Sequence, residues 1–377
     1  MRIVYLDHSA TTPPVPGVRE AMEPFLDTHF GHPAAPYGLG RAVFEAVEDA
    51  RLRVARLLGA TRDEIIFTSG GTEAANLAIW GVMFRFAPAA TGHLIVSAVE
   101  HPAVAETARF LEDLGYELTV VGTDGQGRVD PDSVAAAIRS DTVLVSIQHA
   151  NHEIGTIQPL AEIAAVCHAE GVLIHTDAAQ SVGKIVTRVE ALGVDLLSFS
   201  GHKMGGPKGI GALYVKRGIV LEPLVRGGGD EHGLRGGTPH VAGAVGLGYA
   251  AAAAEKRLPA MQQLAKLRDR LTRLLSEIIG PAISVNAGRV ERLPGTLSVN
   301  FPDASGQDLL RRAPELCAAT FGHWDENRLR LSPTQQAIGL PEELARGTIR
   351  FSLGAGTTEE DIDRAGNLLL AAWEELH

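Results

Sequence analysis

Apolar residues gather in short runs at 65–68, 93–97, 118–121, 142–147, 172–175, 196–200 and 211–215, with longer stretches of helical character between them. Runs that are apolar throughout, instead of alternating, predict strands buried on both faces, so the pattern reads as a mainly parallel sheet with helices on either side. Ligands of such a sheet collect beyond the carboxyl ends of its strands. A long helical region over 241–279, interrupted near Pro259 and carrying an alanine run at 250–254, predicts a bridge between domains. Beyond Gly280 the pattern gives short strands around 296–300 and 348–352, and then a last helix. Thr357 with Glu360 fits a capping box for that helix, and Leu368, Leu369, Leu370 and Trp373 supply its apolar face. The stretch 321–331 is polar, aromatic and charged, as expected of a loop over an active-site mouth.

Three of the predicted strand ends carry chemistry. The run Leu196-Leu197-Ser198-Phe199-Ser200 leads to Gly201-His202-Lys203, followed by Met204-Gly205-Gly206-Pro207. A lysine at a strand end, desolvated and near other cations, has the lowered pKa that lets its amine condense with an aldehyde cofactor. Taken alone, Lys203 reads as a solvated loop residue, as most lysines beside glycines are. The run Val172-Leu173-Ile174-His175-Thr176 ends in Asp177-Ala178-Ala179-Gln180. Pyridoxal phosphate is an electron sink only while its ring nitrogen is protonated, and a buried aspartate such as Asp177 keeps it so. The alternative for Asp177 is a plain helix N-cap. At Ile65-Ile66-Phe67-Thr68-Ser69-Gly70-Gly71-Thr72 a strand turns into a helix whose exposed N–H groups suit a phosphate; Thr72 also fits an ordinary cap. This turn lacks both the dinucleotide spacing and the Walker lysine.

Taken together, these stretches resemble the cysteine desulfurases and selenocysteine lyases, a branch of the class V aminotransferase family. The likeness spans nearly the whole chain, from Tyr5-Leu6-Asp7-His8-Ser9-Ala10-Thr11-Thr12-Pro13 through Glu100-His101-Pro102, Asn151-His152-Glu153-Ile154-Gly155-Thr156 and Gly227-Gly228-Gly229 to Ile349-Arg350-Phe351-Ser352-Leu353-Gly354. It implies an α/β fold-type I pyridoxal phosphate architecture. A large cofactor-binding domain, 16–255, would hold a mainly parallel seven-stranded sheet, and residues 1–15 with 256–377 would form a smaller α+β domain. The resemblance makes Lys203 the Schiff-base lysine, Asp177 the partner of the pyridine nitrogen and Gln180 a donor to the phenolic oxygen. His101 would stack on the ring and assist proton transfer. Gly71, Thr72, Ser200 and His202 would hold the phosphate, while Thr238 would reach the phosphate of a neighbouring subunit, which implies a homodimer. Asn151, His152 and Arg350 would face the substrate, with Arg350 taking its carboxylate through a two-pronged contact. Without the resemblance, Arg350 reads as a strand-edge surface charge.

The likeness fails around the substrate. Family members that make a persulfide carry a cysteine on a mobile loop before the segment that ends here in Ala337-Ile338-Gly339-Leu340. An ungapped count places His323 or Trp324 there. Cys317 lies several residues earlier, and at about 3.3 Å per residue the offset displaces a sulfur by roughly 15–20 Å unless the loop is rerouted. Cys317 reads as a small apolar filler at the start of a buried strand, and Cys167 as core on an amphipathic helix. His152 stands where a second asparagine is common, His32 where Gly-Asn-Pro is usual, and Ala34-Ala35-Pro36-Tyr37 where Ser-Ser-x-His is. Ala355 takes the place of a frequent second arginine.

Composition narrows the classes. A chain of 377 residues, 45% of them hydrophobic, buries a sizeable core and suggests two domains. Its net charge of −11, with no basic stripe, argues against nucleic acid or an anionic membrane surface as partner. No uninterrupted apolar stretch is long enough for a membrane span, the N-terminus enters a family motif without a signal peptide, and two cysteines make no disulfide framework, so the cytoplasm is expected. The fourteen histidines show no zinc-ligand spacing, and no metal is expected.

The leading expectation is a pyridoxal phosphate enzyme that breaks the C–S or C–Se bond of cysteine, selenocysteine or a related thio-amino acid. The sulfur leaves either onto a cysteine, with a possible sulfur-acceptor protein downstream, or by β-elimination; the missing loop cysteine favours elimination. The alternatives are an aminotransferase or another lyase acting on a different amino acid, and a non-catalytic, cofactor-retaining partner protein.

Overall fold

In the computed structural model, which describes residues 2–88, 91–280, 282–325 and 328–377, all seven apolar runs are strands of one sheet. In chain order they are β1 (Ile65–Thr68), β2 (His93–Ser97), β3 (Glu117–Val121), β4 (Thr142–Ser146), β5 (Leu173–Asp177), β6 (Leu196–Ser200) and β7 (Gly211–Val215). They lie in the spatial order β1-β7-β6-β5-β4-β2-β3. Neighbours are parallel except β7, which runs antiparallel to both β1 and β6. The outcome for the site is that β1, β2, β4, β5 and β6 all point the same way, so the turns that follow them meet at one edge.

Side chains on the two faces of this sheet enter different clusters. Ile65, Phe67, Ile95, Val145, Ile174, Leu197 and Phe199 pack with Val47, Val54, Leu58 and Leu247 from helices on one side. Ile66, Leu94, Val96, Leu144, Leu196 and Leu213 pack with Leu77, Val82, Val104 and Leu111 on the other. This two-sided burial explains runs that are apolar throughout. A third cluster joins Val4 and Leu6 to residues from Met261 onward, among them Leu297, Phe301, Ile349, Phe351 and Leu369. Its sheet is formed by β8 (Ser284–Asn286), β9 (Thr296–Asn300), β10 (Ala319–Thr320) and β11 (Thr348–Ser352), in the order β10-β11-β9-β8.

Several local expectations are corrected. The long helix runs through Pro259 to Met261, and a second helix starts at Leu264, so the break falls after the proline rather than at it. The last helix is capped by Thr358, not Thr357, and Asp361 closes the capping box. Part of 321–331 is a hairpin, His323–Asp325 against Arg328–Arg330; Glu326 and Asn327 lie outside the described residues. Cys317 is half-buried and pairs with Tyr5, whereas the adjacent pair Val4 and Leu316 enters the core. Cross-strand partners share a face, so Cys317 turns away from the core instead of filling it. Cys167 is fully buried, as expected. Among the described residues no helix is long and apolar enough to cross a membrane, and no cluster of His, Cys, Asp and Glu is arranged to hold a metal.

One buried ion pair fastens the glycine-rich segment around 227–238 to the large sheet. Arg51 donates from Nη1 and Nη2 to the two carboxylate oxygens of Glu231 at 2.6 and 2.9 Å, and also to Glu48 and to the carbonyl of Ile65. Glu231 in turn accepts from the Phe67 N–H at 2.8 Å, and the guanidinium lies 4.7 Å from the Phe67 ring centre. Both side chains are only 5% exposed. Removing the acid leaves a buried guanidinium with two terminal nitrogens short of their carboxylate and only Glu48 as counter-charge, so Glu231→Ala is expected to lower stability by about 3–5 kcal/mol, read from urea unfolding. A loss under about 1 kcal/mol, the value of a surface pair, would contradict this account.

Candidate functional site

The turns at the sheet's carboxyl edge bring most of the predicted residues together. Lys203 ends the short 3-10 turn Gly201–Lys203 that follows β6 directly. Among the described residues its amine has no hydrogen-bond partner. Burial lowers its pKa, Arg350 lowers it further, and Asp177 and Asp7 act in the opposite sense. The lysine is therefore desolvated and within electrostatic reach of a cation, as the sequence predicts, with two acids acting against both. Asp177 ends β5 and is 9% exposed. Its Oδ1 accepts from the Ala179 N–H at 2.8 Å, a cap-like bond, but no helix follows until Val189, which removes the reading of Asp177 as a helix N-cap.

His101 is the N-cap of the helix Pro102–Asp113. Its Nδ1 accepts from the Ala103 N–H at 3.1 Å, so the neutral ring carries its proton on Nε2. Burial and Lys203 lower its pKa, and Asp177 opposes them. The His101 ring meets that of His152 edge-on at 5.3 Å. His152, in the turn after β4, is held well below its ordinary pKa by burial and by His101, Lys203 and Arg350. Its Nδ1 is buried without a partner among the described residues. Asn151 is wholly buried and structural in its contacts: Oδ1 accepts from the N–H groups of Glu153 and Ile154, and Nδ2 donates to Val99 O and Thr334 Oγ1.

The phosphate residues line one cavity of about 380 Å³, which includes Gly71, Thr72, Ser200 and His202. The helix Gly71–Phe86 starts there with Gly70 as N-cap and no side-chain cap, so Thr72 sits in the first turn and does not cap it. A Cβ on Gly71 would lie 3.3 Å from the Ser200 Cβ, crowding the cradle that the glycine leaves open. His202 Nδ1 pairs with Thr11 Oγ1 at 3.0 Å. Thr238 is exposed and does not line this cavity. Gln180 is 4% exposed; its Nε2 donates to Ser9 O at 3.0 Å and its Oε1 accepts from Lys184 Nζ at 2.9 Å. A lysine only donates, so this contact fixes the amide with nitrogen on the Ser9 side.

Arg350 is not a surface charge at a strand edge. It is 4% exposed in β11, which has neighbours on both sides. Nη1 donates to His152 O at 2.6 Å and Nη2 to Asp7 Oδ1 at 2.5 Å. Phe321 lies over the guanidinium, 4.9 Å to the ring centre, and meets His152 edge-on. These bonds leave Nε–H, buried and without a partner among the described residues, and one hydrogen on each terminal nitrogen.

The sequence reading missed several members of this assembly. Asp7 stands in the quoted Tyr5-Leu6-Asp7 stretch, yet only the fold brings it to Arg350, 343 residues away. Glu100, next to His101, is 3% exposed and pushed up to about 8 by burial, with Ser97 and the Gln148 N–H bonded to its Oε1. Glu153 is pushed up to about 7 by burial and accepts from Ser332 Oγ at 2.7 Å, tying the turn after β4 to the segment beyond the hairpin. An acid beside two site residues was the available signal in both cases.

The nucleophilic amine without a hydrogen bond, the acid at the neighbouring strand end and the glycine-opened cradle fit an aldehyde cofactor with a ring nitrogen and a phosphate. Comparison with known proteins agrees. The chain is 43% identical over its whole length to a cysteine desulfurase IscS of Dictyoglomus turgidum, covering 95% of that protein. It is 42% identical over 96% of its length to one of Methanosarcina thermophila, covering 90% of that protein. Among solved structures, a NifS-like protein superposes with a TM-score of 0.93 at 34% identity, with both chains covered in full. SspA, solved in complex with cysteine, superposes with a TM-score of 0.82 at 36% identity over 94% of this chain and 99% of that one. The aminotransferase class-V pattern matches residues 4–365, and the chain belongs to that family of fold-type I, pyridoxal-phosphate-dependent enzymes.

Proposed function

We propose that this enzyme cleaves the C–S bond of cysteine or a related thio-amino acid, or the C–Se bond of selenocysteine, and that sulfur leaves by β-elimination rather than onto a cysteine of the chain. The observation that carries the first half is the desolvated Lys203 amine within reach of Asp177, in a chain about 43% identical to proteins named cysteine desulfurase. The second half rests on the hairpin: His323 or Trp324, which an ungapped count puts near the place of the loop cysteine, lies in its first strand, and Cys317 belongs to a strand paired with Tyr5.

The cofactor, when bound, supplies an aldehyde and an electron sink for negative charge at the substrate's α-carbon. Asp177 keeps the proton on its ring nitrogen, Gln180 donates from Nε2 to its phenolic oxygen, and His101 covers its face. Gly71, Thr72, Ser200 and His202 take the phosphate, with Thr238 of the partner subunit in a homodimer. Arg350 receives the substrate carboxylate on the hydrogens that His152 and Asp7 leave free, with Asn151 and His152 shaping the turn beside it. Lys203 Nζ, neutral because burial disfavours its charge, accepts the α-proton. His101, within electrostatic reach of Lys203, gives the proton on its Nε2 to the departing sulfur. The C–S bond breaks, its electron pair leaves with sulfur, and the aminoacrylate that is released hydrolyses to pyruvate and ammonia.

The same reading divides the chain into a cofactor-holding domain, 16–255, and a smaller one made of 1–15 and 256–377. It places the protein in the cytoplasm, consistent with two unpaired cysteines. A sulfur-acceptor protein belongs to it only where sulfur is handed on.

Purified protein is expected to be yellow, and Lys203→Ala to lose the visible band of lysine-bound cofactor; an unchanged band would refute the lysine assignment. Arg350→Lys keeps the charge but not the planar fork, and kcat/KM is expected to fall about 10–100-fold. A steady-state assay showing no change would remove the carboxylate role. Incubation with cysteine, selenocysteine and cysteine S-conjugates should yield pyruvate and ammonia, unaltered in Cys317→Ala. Alanine as the product, abolished by that substitution, would instead establish the persulfide route.

A further inference from the structure

The buried cation Arg51 has the acids Glu231 and Glu48 against it. Lys184, which is buried, and Arg257, which is half-buried, have no ion pair among the described residues. Lys184 is 9% exposed, and the only hydrogen bond of its amine among the described residues is to Gln180 Oε1. Burial pushes its pKa down to about 7, Lys203 and Arg350 add repulsion, and no acid acts the other way. Arg257 donates from Nη2 to Met204 O at 2.9 Å, while its Nε is buried with no partner among the described residues. Burial alone lowers its pKa. A charge withdrawn from water without a counter-charge costs free energy, and the cost is removed when an anion is supplied.

Both residues line the same cavity, about 370 Å³ in volume, with His8 and Lys203 also on its wall and no aspartate or glutamate. The Arg257 guanidinium lies beside Gly205 on that wall: a Cβ on this glycine would meet Nη2 at 3.5 Å and Nη1 at 3.6 Å. Most of the remaining surface is apolar, including Val15, Met204, Met261 and Leu353. The exposed rim of the cavity includes Pro13, Pro14 and Pro16 together with Ala355 and Gly356, and at Ala355 the family resemblance leads one to expect a second arginine. Small residues at this point leave the cavity open. Arg350, the carboxylate residue of the substrate site, is not part of its lining.

We propose that this cavity is a second binding site, for a small organic carboxylate whose anion sits between Lys184 and Arg257 and whose short apolar body lies against Val15, Met204, Met261 and Leu353. An inorganic anion would meet the charge and leave the apolar wall bare, so affinity should rise with the length of the alkyl chain. Because Lys203 shares the wall, an occupant also offsets the repulsion on its amine and couples occupancy to the catalytic centre.

The test is calorimetric titration of the holoenzyme carrying Arg350→Gln, which removes the substrate site's grip on carboxylates. Butyrate should bind at one site per chain, more tightly than acetate or sulfate, and butylamine should not bind. Arg257→Gln should weaken butyrate about tenfold or more. Ala355→Trp, at an exposed position away from the core, should block the mouth and abolish binding. No heat with butyrate, sulfate as tight as butyrate, or unchanged affinity in either variant would overturn the proposal. If Arg257→Gln lowers the unfolding midpoint, the Ala355→Trp result decides. Binding is read without turnover, so a failure of the C–S lyase reading would leave this result standing, and the reverse.

Discussion

Holding a lysine amine out of water at the end of a fully buried strand disfavours its charged form, and the rest of the site can be understood as a response to that constraint. Lys203 follows β6, every residue of which is buried, and its neighbours include Arg350 as well as Asp177 and Asp7. The cations keep the amine nucleophilic; the acids prevent the ensemble from becoming an uncompensated cluster of positive charge. The histidines fit the same scheme. Burial holds His101 and His152 below their ordinary pKa, so the space around the amine contains neutral imidazoles able to take or give a proton.

The sheet converts this local chemistry into a site. Because β1, β2, β4, β5 and β6 share a direction, the residues at 71, 101, 151, 177 and 203, spread over more than a hundred positions, emerge along one edge. The antiparallel β7 between β1 and β6 serves this arrangement: it brings the phosphate turn after β1 and the lysine turn after β6 to the same end, one strand apart. The second sheet then presents Arg350 from the opposite side, tied back by Asp7 and by the His152 carbonyl.

How much of this is legible in the chain follows from what each feature depends on. Strands β1, β6 and β7 match their apolar runs end to end, because two-sided burial keeps the runs mostly apolar and buries even their few hydroxyl residues, Thr68, Ser198 and Ser200. Lys203, Asp177 and Gly71 are legible because a strand end followed by a glycine or an acid is a local signal. The Thr358 cap was missed by one residue, since two threonines stand side by side with acids spaced to suit either. Arg350 looked like a surface charge because nothing local reveals that β11 has neighbours on both sides. Asp7, Lys184 and Glu231 acquire their meaning only from partners remote in sequence, and no periodicity reports such pairing.

The departures from the family resemblance are confined by the same physics. Residues proposed to hold the cofactor's charged groups, such as Asp177 and Gln180, are fixed at a strand end or by buried hydrogen bonds, where a substitution strands a polar group. His152, which does differ, meets Phe321 edge-on, and the two contact Arg350 through a carbonyl and a ring face. An aromatic ring over the guanidinium retains its charge and excludes water, so carboxylate recognition survives while the surface offered to the rest of the substrate becomes flatter and more apolar. Such a surface suits a sulfur atom carrying an organic substituent as readily as a free thiol, because polarizable sulfur packs well against ring edges. The missing loop cysteine and the Phe321 ring over Arg350 both support the proposal of a leaving group that departs into the solvent and is not captured by the chain.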